Sequence, residues 1–295
     1  MKFYKIYLEI SDICHLKCSF CPPKKAVRGV MDLALFDSIT TQIKNHVNLL
    51  ALHVLGDPLC VPNLSAFLDI LESKNIRVDI VSSGANLSDF HFKELARQNV
   101  HQVSFSLDSA FDNGLDFETY FSQILRFYEF LQTCPYKIYV NLRLFGNYDI
   151  TPILSHFRDF ESQETKRRIR LNKHFFLRFH NEFKWIKSSK NNNFMESSFV
   201  NFAKSDLDSK NSKIHNLDSN LKPYCLGSIS QLGILSNGLV VPCCLDSKGF
   251  MTLGDLKTQS FSEVIESRTF KSFQNAQKTH KNLSQICKTC TFRGV

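Results

Sequence analysis

Phe3-Tyr4-Lys5-Ile6-Tyr7-Leu8-Glu9-Ile10 runs through Ser11-Asp12 into Ile13-Cys14-His15-Leu16-Lys17-Cys18-Ser19-Phe20-Cys21. An apolar, strand-like segment thus ends in three cysteines spaced C-x3-C-x2-C. Three close thiolates in a tight loop suit an iron–sulfur cube, whose usual ligands are cysteine thiolates. Three ligands for four irons leave one iron open to a further molecule. A zinc site, or thiols buried as small hydrophobes, are the other readings. Structural zinc takes four closed ligands, commonly in pairs, and a 3-then-2 triplet does not supply them.

Further strand-like runs recur downstream at 51–55, 76–81, 100–107, 136–145 and 169–179. Between the first two strands, Leu33, Phe36, Ile39, Ile43 and Val47 recur at three- and four-residue steps, the period of an amphipathic helix. Segments 64–71, 90–96, 121–131 and 153–160 read as helices on the same grounds. Strand alternating with helix implies βαβ units on a parallel sheet. Six units are too few for a closed eight-stranded barrel. The expected fold is therefore α/β, a partial (β/α)6 TIM-like barrel with ligands at the carboxyl ends of its strands.

From 187 to 222 the composition changes to Ser, Asn, Lys and Asp, as in Ser188-Ser189-Lys190-Asn191-Asn192-Asn193, and reads as a linker or insertion with a short helix around 199–204. The expected division is a core at 1–186, this linker at 187–222 and a small cysteine-bearing domain at 223–295. That last part contains Cys225, Gly238, Cys243-Cys244 and Cys287-Lys288-Thr289-Cys290. Residues 234–242 read as a β-hairpin, with Asn237-Gly238 supplying positive φ angles. Phe261, Val264, Ile265 and Phe270 then suggest one amphipathic helix. Cys225, Cys243, Cys287 and Cys290 could ligate one [4Fe–4S] cluster or one zinc ion. Cys244 is either an alternative ligand or a packed thiol, while Cys60 and Cys134 have no partner pattern and read as structural.

The chain has 295 residues, 43% of them hydrophobic, enough for one large domain plus an appendage. No apolar stretch approaches the ~20 residues of a membrane span. Its start shows no signal-peptide pattern, so a cytoplasmic location is expected. Ten cysteines without an export signal argue for metal or redox chemistry and against a disulfide framework. A net charge of +8 permits an anionic partner such as tRNA, and solubility explains it equally well. The densest basic cluster, Lys166-Arg167-Arg168-Ile169-Arg170, reads as a solvated strand entrance.

The chain resembles the radical S-adenosylmethionine (SAM) superfamily, whose signature is this cysteine triplet with an aromatic residue, here Phe20, before the third. Gly56-Asp57-Pro58, after the second strand, is similar to the family's Gly-Glu-Pro segment, which receives the SAM amino group. With the acid shortened, more of that work falls to backbone carbonyls; standing alone, Gly-Asp-Pro is a turn. Ser82-Ser83-Gly84 lies where the family often has Thr-Asn-Gly, and Ser106-Leu107-Asp108-Ser109 is similar to its Ser-x-Asp-Gly. The resemblance implies SAM-binding roles for Ser83, and for Ser106 and Asp108 at the ribose. Asn141 and Arg143 share one face of the fifth strand. Arg143 could pair with the SAM carboxylate or serve a structural ion pair. His180 could bind substrate or move protons, or be a hydrogen-bonded histidine without catalytic duty. Trp185, the single tryptophan, could be a packing anchor.

Cys225-x12-Gly238-x4-Cys243 is similar to the first half of the SPASM/twitch pattern, and Cys287-x2-Cys290 supplies two more ligands. Five cysteines fit a shortened, twitch-type domain with one auxiliary [4Fe–4S] cluster better than the full two-cluster domain. The resemblance implies SAM chelated to the open iron of the Cys14/Cys18/Cys21 cluster and cleaved reductively to a 5′-deoxyadenosyl radical, which takes a hydrogen atom from the substrate. It also implies an electron donor such as flavodoxin or ferredoxin. A fully ligated second cluster favours a net oxidation. Peptide or protein, small molecule and tRNA all stand as substrates. Molybdenum-cofactor synthesis is disfavoured, since Arg293-Gly294-Val295 lacks a double-glycine tail. The contrasting possibility is a non-catalytic iron–sulfur or zinc protein on a barrel scaffold.

Overall fold

The computed structural model describes residues 1–23, 29–145, 148–158, 161–163 (backbone only), 167–180, 185 and 225–291. The expected linker at 187–222 and the tripeptide at 293–295 lie outside the described residues. Six strands run parallel side by side in the order β1 (Phe3–Leu8), β2 (Val47–Leu52), β3 (Val78–Ser82), β4 (Val100–Ser106), β5 (Tyr139–Phe145) and β8 (Phe175–His180). This is the expected partial barrel.

Its two faces follow from strand alternation. Ile6, Leu8, Leu50, Leu52, Val78, Ile80, Val103, Phe105, Leu142 and Leu177 turn outward into one apolar core. Against them α1 (Leu33–Ile43) buries Phe36, Ile39 and Ile43, α2 (Leu64–Ser73) buries Phe67, Leu68 and Leu71, and α5 (Phe117–Gln132) buries Phe121, Ile124 and Phe127. The intervening strand residues, Lys5, Tyr7, Asp79, Asn141, Arg143 and Arg178, belong to the opposite, concave face. A polar lumen inside an apolar shell is the frame for the site.

Several boundaries differ from the sequence reading. Val47 opens β2 and does not close α1, because the helix ends at Ile43 and His46 N donates back to Ile43 O at 2.8 Å. A branched apolar residue four positions on satisfies either period, so spacing alone could not separate them. The run at 169–179 is a hairpin, β7 (Arg168–Asn172) antiparallel to β8, turning where Asn172 Oδ1 accepts from Lys173 N at 2.7 Å. β6 (Glu161–Gln163) continues that antiparallel edge, and the helix expected at 153–160 is one turn, α6 (Thr151–Leu154). A further short helix, α4 (Leu107–Asp112), starts directly at the end of β4.

The C-terminal segment joins the same sheet. β9 (Gln231–Ile234) pairs parallel with β1 on the side away from β2, and β10 (Leu239–Val241) and β11 (Gly254–Asp255) follow antiparallel. In the hairpin turn only Gly238 takes positive φ, +88°, while Asn237 accepts from Leu239 N through its side chain. The single helix expected around Phe261–Phe270 is two, α7 (Phe261–Glu266) and α8 (Arg268–Thr279). Ser267 breaks them and caps the second by accepting from Phe270 N at 3.1 Å. Among the described residues no helix is long and apolar enough to cross a membrane.

Glu9, fully buried just past β1, ties the two halves of this sheet together. Its carboxylate accepts from Leu55 N at 3.1 Å, Ser236 N at 3.1 Å and Ser236 Oγ at 2.9 Å, while its own N–H donates to Ile234 O. Glu9→Gln places an amide donor among these donors without changing volume. It should destabilise the fold by about 1–3 kcal/mol, read as a lower urea midpoint at unchanged slope.

Candidate functional site

The cysteine loop leaves β1 at the carboxyl-end mouth of the barrel and docks on the end of α4. Lys17 N donates to Asn113 Oδ1 at 3.0 Å, and Ser19 donates to Asp112 through Oγ at 2.7 Å and also through its N–H. Asn113 Nδ2 donates to Cys18 Sγ at 3.2 Å, and Cys21 N donates to Cys18 O at 3.2 Å. Hydrogen bonds from Cys21, then Ser109 and Asn113, pull the Cys18 thiol down to about 6 against its partial burial. Cys14 and Cys18 are half-buried and Cys21 is exposed, as is Phe20. These three thiols, one already drawn toward thiolate, are the donors an iron–sulfur cube requires. Cys60 lies near Cys14, yet burial pushes its thiol up to about 11, and Asn86 Nδ2 donates to it at 2.9 Å. Its position beside the loop had no signal in the sequence.

Gly56 explains how the loop is held. It has φ +71°, and a Cβ there would meet Ser11 O at 2.3 Å and Asp12 Cα at 2.9 Å. Next to it Asp57 N donates to Ile13 O at 2.8 Å. The Gly56-Asp57-Pro58 backbone is therefore packed onto the strand-to-cysteine connection. The Asp57 side chain, 1% exposed, is occupied: it accepts from Leu59 N at 3.0 Å, Ser83 N at 2.9 Å and Ser83 Oγ. An ammonium arriving here would meet backbone carbonyls, and Asp57 acts as the brace between two strand ends.

Asp108 is likewise inside. It is 3% exposed, both its oxygens accept from Phe145 N at 2.9 and 3.1 Å, and burial pushes its carboxyl up to about 6. A ribose role for it would have to pass through the backbone it holds. Ser106, half-buried, begins α4 at the same strand end. Arg143 is half-buried over the Phe145 ring, 5.3 Å from its centroid. Its charge reaches across the lumen: burial, then Arg143 and Lys5, push His53 down to about 3. Tyr7 and Cys244 also feel Arg143. His180 stacks on Phe145 at 5.0 Å, and burial, with Arg143 and Arg178 nearby, pushes it down to about 4. It is therefore a neutral imidazole at pH 7. Tyr7, His53 and Arg178 are lumen residues that the sequence reading missed; alternation from the core positions of their strands would have placed them.

The C-terminal cysteines gather on the other side of β10. Gly227 brings them close: a Cβ there would lie 3.5 Å from Cys225 Sγ and 3.4 Å from Cys243 Cβ. Burial pushes the Cys243 and Cys287 thiols up; Cys287 lies among the neighbours of Cys243, and Cys225 and Cys290 among those of Cys287. Gln277 Nε2 donates to Cys287 Sγ at 3.2 Å, and Cys287 N donates to Ser284 Oγ at 3.2 Å in the cap of α9 (Gln285–Lys288). Metal binding reverses such upward shifts, since a ligating thiol is deprotonated. Asp246, fully buried, shapes the loop by accepting from Phe250 N at 2.8 Å and Met251 N at 2.7 Å. Cys244 turns away from the four: it packs with Tyr7 against Val54, Leu235 and Val241. Cys134 Sγ donates to Phe130 O at 3.5 Å, a helix-end contact.

Two family profiles match this chain: the radical SAM superfamily over residues 8–139, and SPASM, an iron–sulfur cluster-binding domain, over residues 225–291. The chain thus carries a radical SAM domain in its N-terminal half and a SPASM-type domain at its C-terminal end. SAM and a [4Fe–4S] cluster, with further iron–sulfur in the SPASM segment, are the cofactors of such a protein. It is 29% identical over 107 residues to the tungsten-containing aldehyde ferredoxin oxidoreductase cofactor-modifying protein of Pyrococcus furiosus, covering 35% of this chain and 30% of that one. The match thus spans less than a third of that relative's length. Among solved structures, BtrN in complex with AdoMet and 2-DOIA superposes with TM-score 0.57 at 16% identity, covering 99% of this chain and 94% of that one. Streptococcus suis SuiB bound to precursor peptide SuiA gives 0.59 at 14% identity, with coverages of 99% and 70%. The anSMEcpe structure with bound AdoMet and Cp18Cys peptide gives 0.57 at 17%, with coverages of 98% and 86%. At these identities the likeness is one of fold.

Gly56→Ala should strain the left-handed backbone by ~1–2 kcal/mol and also press on Ser11 O. The expected outcome is a lower melting temperature and a loss of iron from the Cys14/Cys18/Cys21 loop on anaerobic reconstitution.

Proposed function

We propose that the chain is an oxidoreductase or maturase-type radical SAM enzyme that removes a hydrogen atom from an unactivated C–H bond, with net oxidation of a peptide or small molecule. The observation that carries this reading is the three-thiol loop at the carboxyl-end mouth, beside which β2 and β3 lead into Gly56 and Ser83 and β4 and β5 end in Ser106 and Phe145. Once bound, the cluster and SAM together supply the electron and the 5′-deoxyadenosyl radical. The chain's residues do the holding and the screening. Cys14, Cys18 and Cys21 ligate three irons and leave the fourth to SAM. The Gly56-Asp57-Pro58 carbonyls accept from the SAM ammonium, since the Asp57 carboxylate is already occupied. Arg143 takes the SAM carboxylate through its fork, and Ser83 and Ser106 lie beside the nucleoside. Asp108 positions that wall by holding Phe145 N.

Cys225, Cys243, Cys287 and Cys290 are the proposed ligands of the auxiliary [4Fe–4S] cluster. Four thiolates would leave no open iron, which would suit the cluster to accepting the electron that the substrate radical gives up, together with a proton, as it becomes the oxidised product. Low-potential flavodoxin or ferredoxin would supply the first electron. The range of substrates rests on BtrN, SuiB and anSMEcpe, whose structures hold a small molecule or peptides. For domain limits we propose 1–186 for the core, 187–222 for the linker and 223–295 for the cluster segment.

Anaerobic reconstitution should load about eight irons and eight sulfides per chain, two cubes' worth, and the reduced protein should release 5′-deoxyadenosine and methionine from SAM. Cys18→Ala should abolish that release. The double replacement Cys287→Ala and Cys290→Ala should lower iron to about four and keep slow release, provided circular dichroism shows a folded protein. Zinc in place of iron at the second site, or SAM left intact by the reduced wild-type protein, would refute the corresponding half of the reading.

A further inference from the structure

Three arginines stand in one row across neighbouring strands on the concave face. Arg143 of β5 is in register with Arg178 of β8, and Arg178 is in register with Arg168 of β7. Directly opposed residues on paired strands point to the same side, so these side chains are immediate neighbours. Like charges so placed are destabilising, and arginine cannot shed its proton to relieve them. Arg168 lies over the Phe176 ring at 5.0 Å, which narrows the space further. The basic cluster read from sequence as a solvated strand entrance therefore contributes Arg168 to this row.

Among the described residues no carboxylate forms an ion pair with Arg143 or Arg178; Asp108 and Asp79, which act on them from nearby, are engaged elsewhere. Asp79 pairs with Lys5 at 2.8 Å and bonds His101 at 2.9 Å, and Asp108 is held by Phe145 N. The Arg178 Nε is buried without a hydrogen-bond partner, and so is His180 Nε2. Asn141, one step below Arg143 on the same face and 1% exposed, has neither its Nδ2 nor its Oδ1 paired. Native proteins rarely leave buried polar atoms unpaired, and still less a group of them on one face. Arg178 Nε and Asn141 Nδ2 are donors, and His180 Nε2 is one in the tautomer that carries its proton there, so an anion would satisfy three of these four atoms, with the Arg143 charge alongside.

We propose that the lumen of this barrel binds an oxyanion of the substrate, a carboxylate or a phosphate monoester, on Arg178, His180 and Asn141. This rests on the reading above, in which Arg143 takes the SAM carboxylate one strand away, and it narrows the substrate to an acid. His180 lies at the strand end, Arg178 one step in and Asn141 another step deeper. The acid group therefore enters first, and the rest of the substrate lies toward the mouth, where hydrogen is removed.

The test involves no turnover. Reconstituted, unreduced protein saturated with SAM is melted at constant ionic strength while sodium phosphate or sodium malonate is raised to ~50 mM, since a ligand of the folded state raises the melting temperature by mass action. At least one anion should stabilise the wild-type protein. Arg178→Gln should weaken its apparent affinity about tenfold, and Arg178→Lys less, because lysine keeps the charge and loses the fork. His180→Phe keeps the stack on Phe145, removes the ring nitrogens and should weaken the same anion severalfold. This second variant decides the matter if Arg178→Gln fails to fold. A response to malonate alone supports a carboxylate substrate, and one to phosphate alone supports a phosphate ester. No anion response in the wild-type protein, or an unchanged response in the folded variants, overturns the site. So does weakened SAM binding by calorimetry in Arg178→Gln, which would give that guanidinium to the SAM carboxylate. Intact SAM after reduction of the wild-type protein would defeat the reading of the activity and leave the anion result standing.

Discussion

Everything at the mouth of this barrel depends on a carboxylate that water never reaches. Glu9 lies where β1 hands over to the cysteine loop, and it accepts from the β2 side through Leu55 N and from the C-terminal hairpin through Ser236. A buried carboxylate is costly unless its lone pairs are filled. Here the filling joins three chain segments far apart in sequence. β1 is consequently a central strand, flanked by β2 on one side and β9 on the other. The loop bearing Cys14, Cys18 and Cys21 thus springs from an interior strand of the sheet and not from an edge.

The charges in the lumen divide by sign. Its carboxylates are engaged with the protein itself: Asp57 with Leu59 and Ser83, Asp79 with Lys5 and His101, Asp108 with Phe145. Two of its arginines, Arg143 and Arg178, have no such partner among the described residues, and burial lowers the affinity of both for their protons. The acids are spent within the fold, one of them on Lys5, and the two arginines are left without a paired acid among the described residues. Burial, reinforced by the Arg143 charge, keeps His53 and His180 neutral.

Cys243 and Cys244, in the turn that follows β10, serve two different neighbourhoods. Cys243 falls among Cys225, Cys287 and Cys290, while Cys244 packs beside Tyr7 at the lumen.

Local pattern was enough for the triplet of cysteines, the six parallel strands, the alternation with helices and the radical SAM signature, because each depends on residue type at short spacing. Spacing did not separate Val47 of β2 from the end of α1, nor resolve 169–179 into a hairpin, since a short apolar run fits more than one element. Nor did it show that β9 joins β1, that Asp57 and Asp108 are occupied by backbone donors, or that Arg143, Arg178 and Arg168 form a row. Those facts are pairings between residues distant along the chain. Register between strands sets them, and register is a property of the packed sheet, in which burying the apolar face leaves each strand one way to lie.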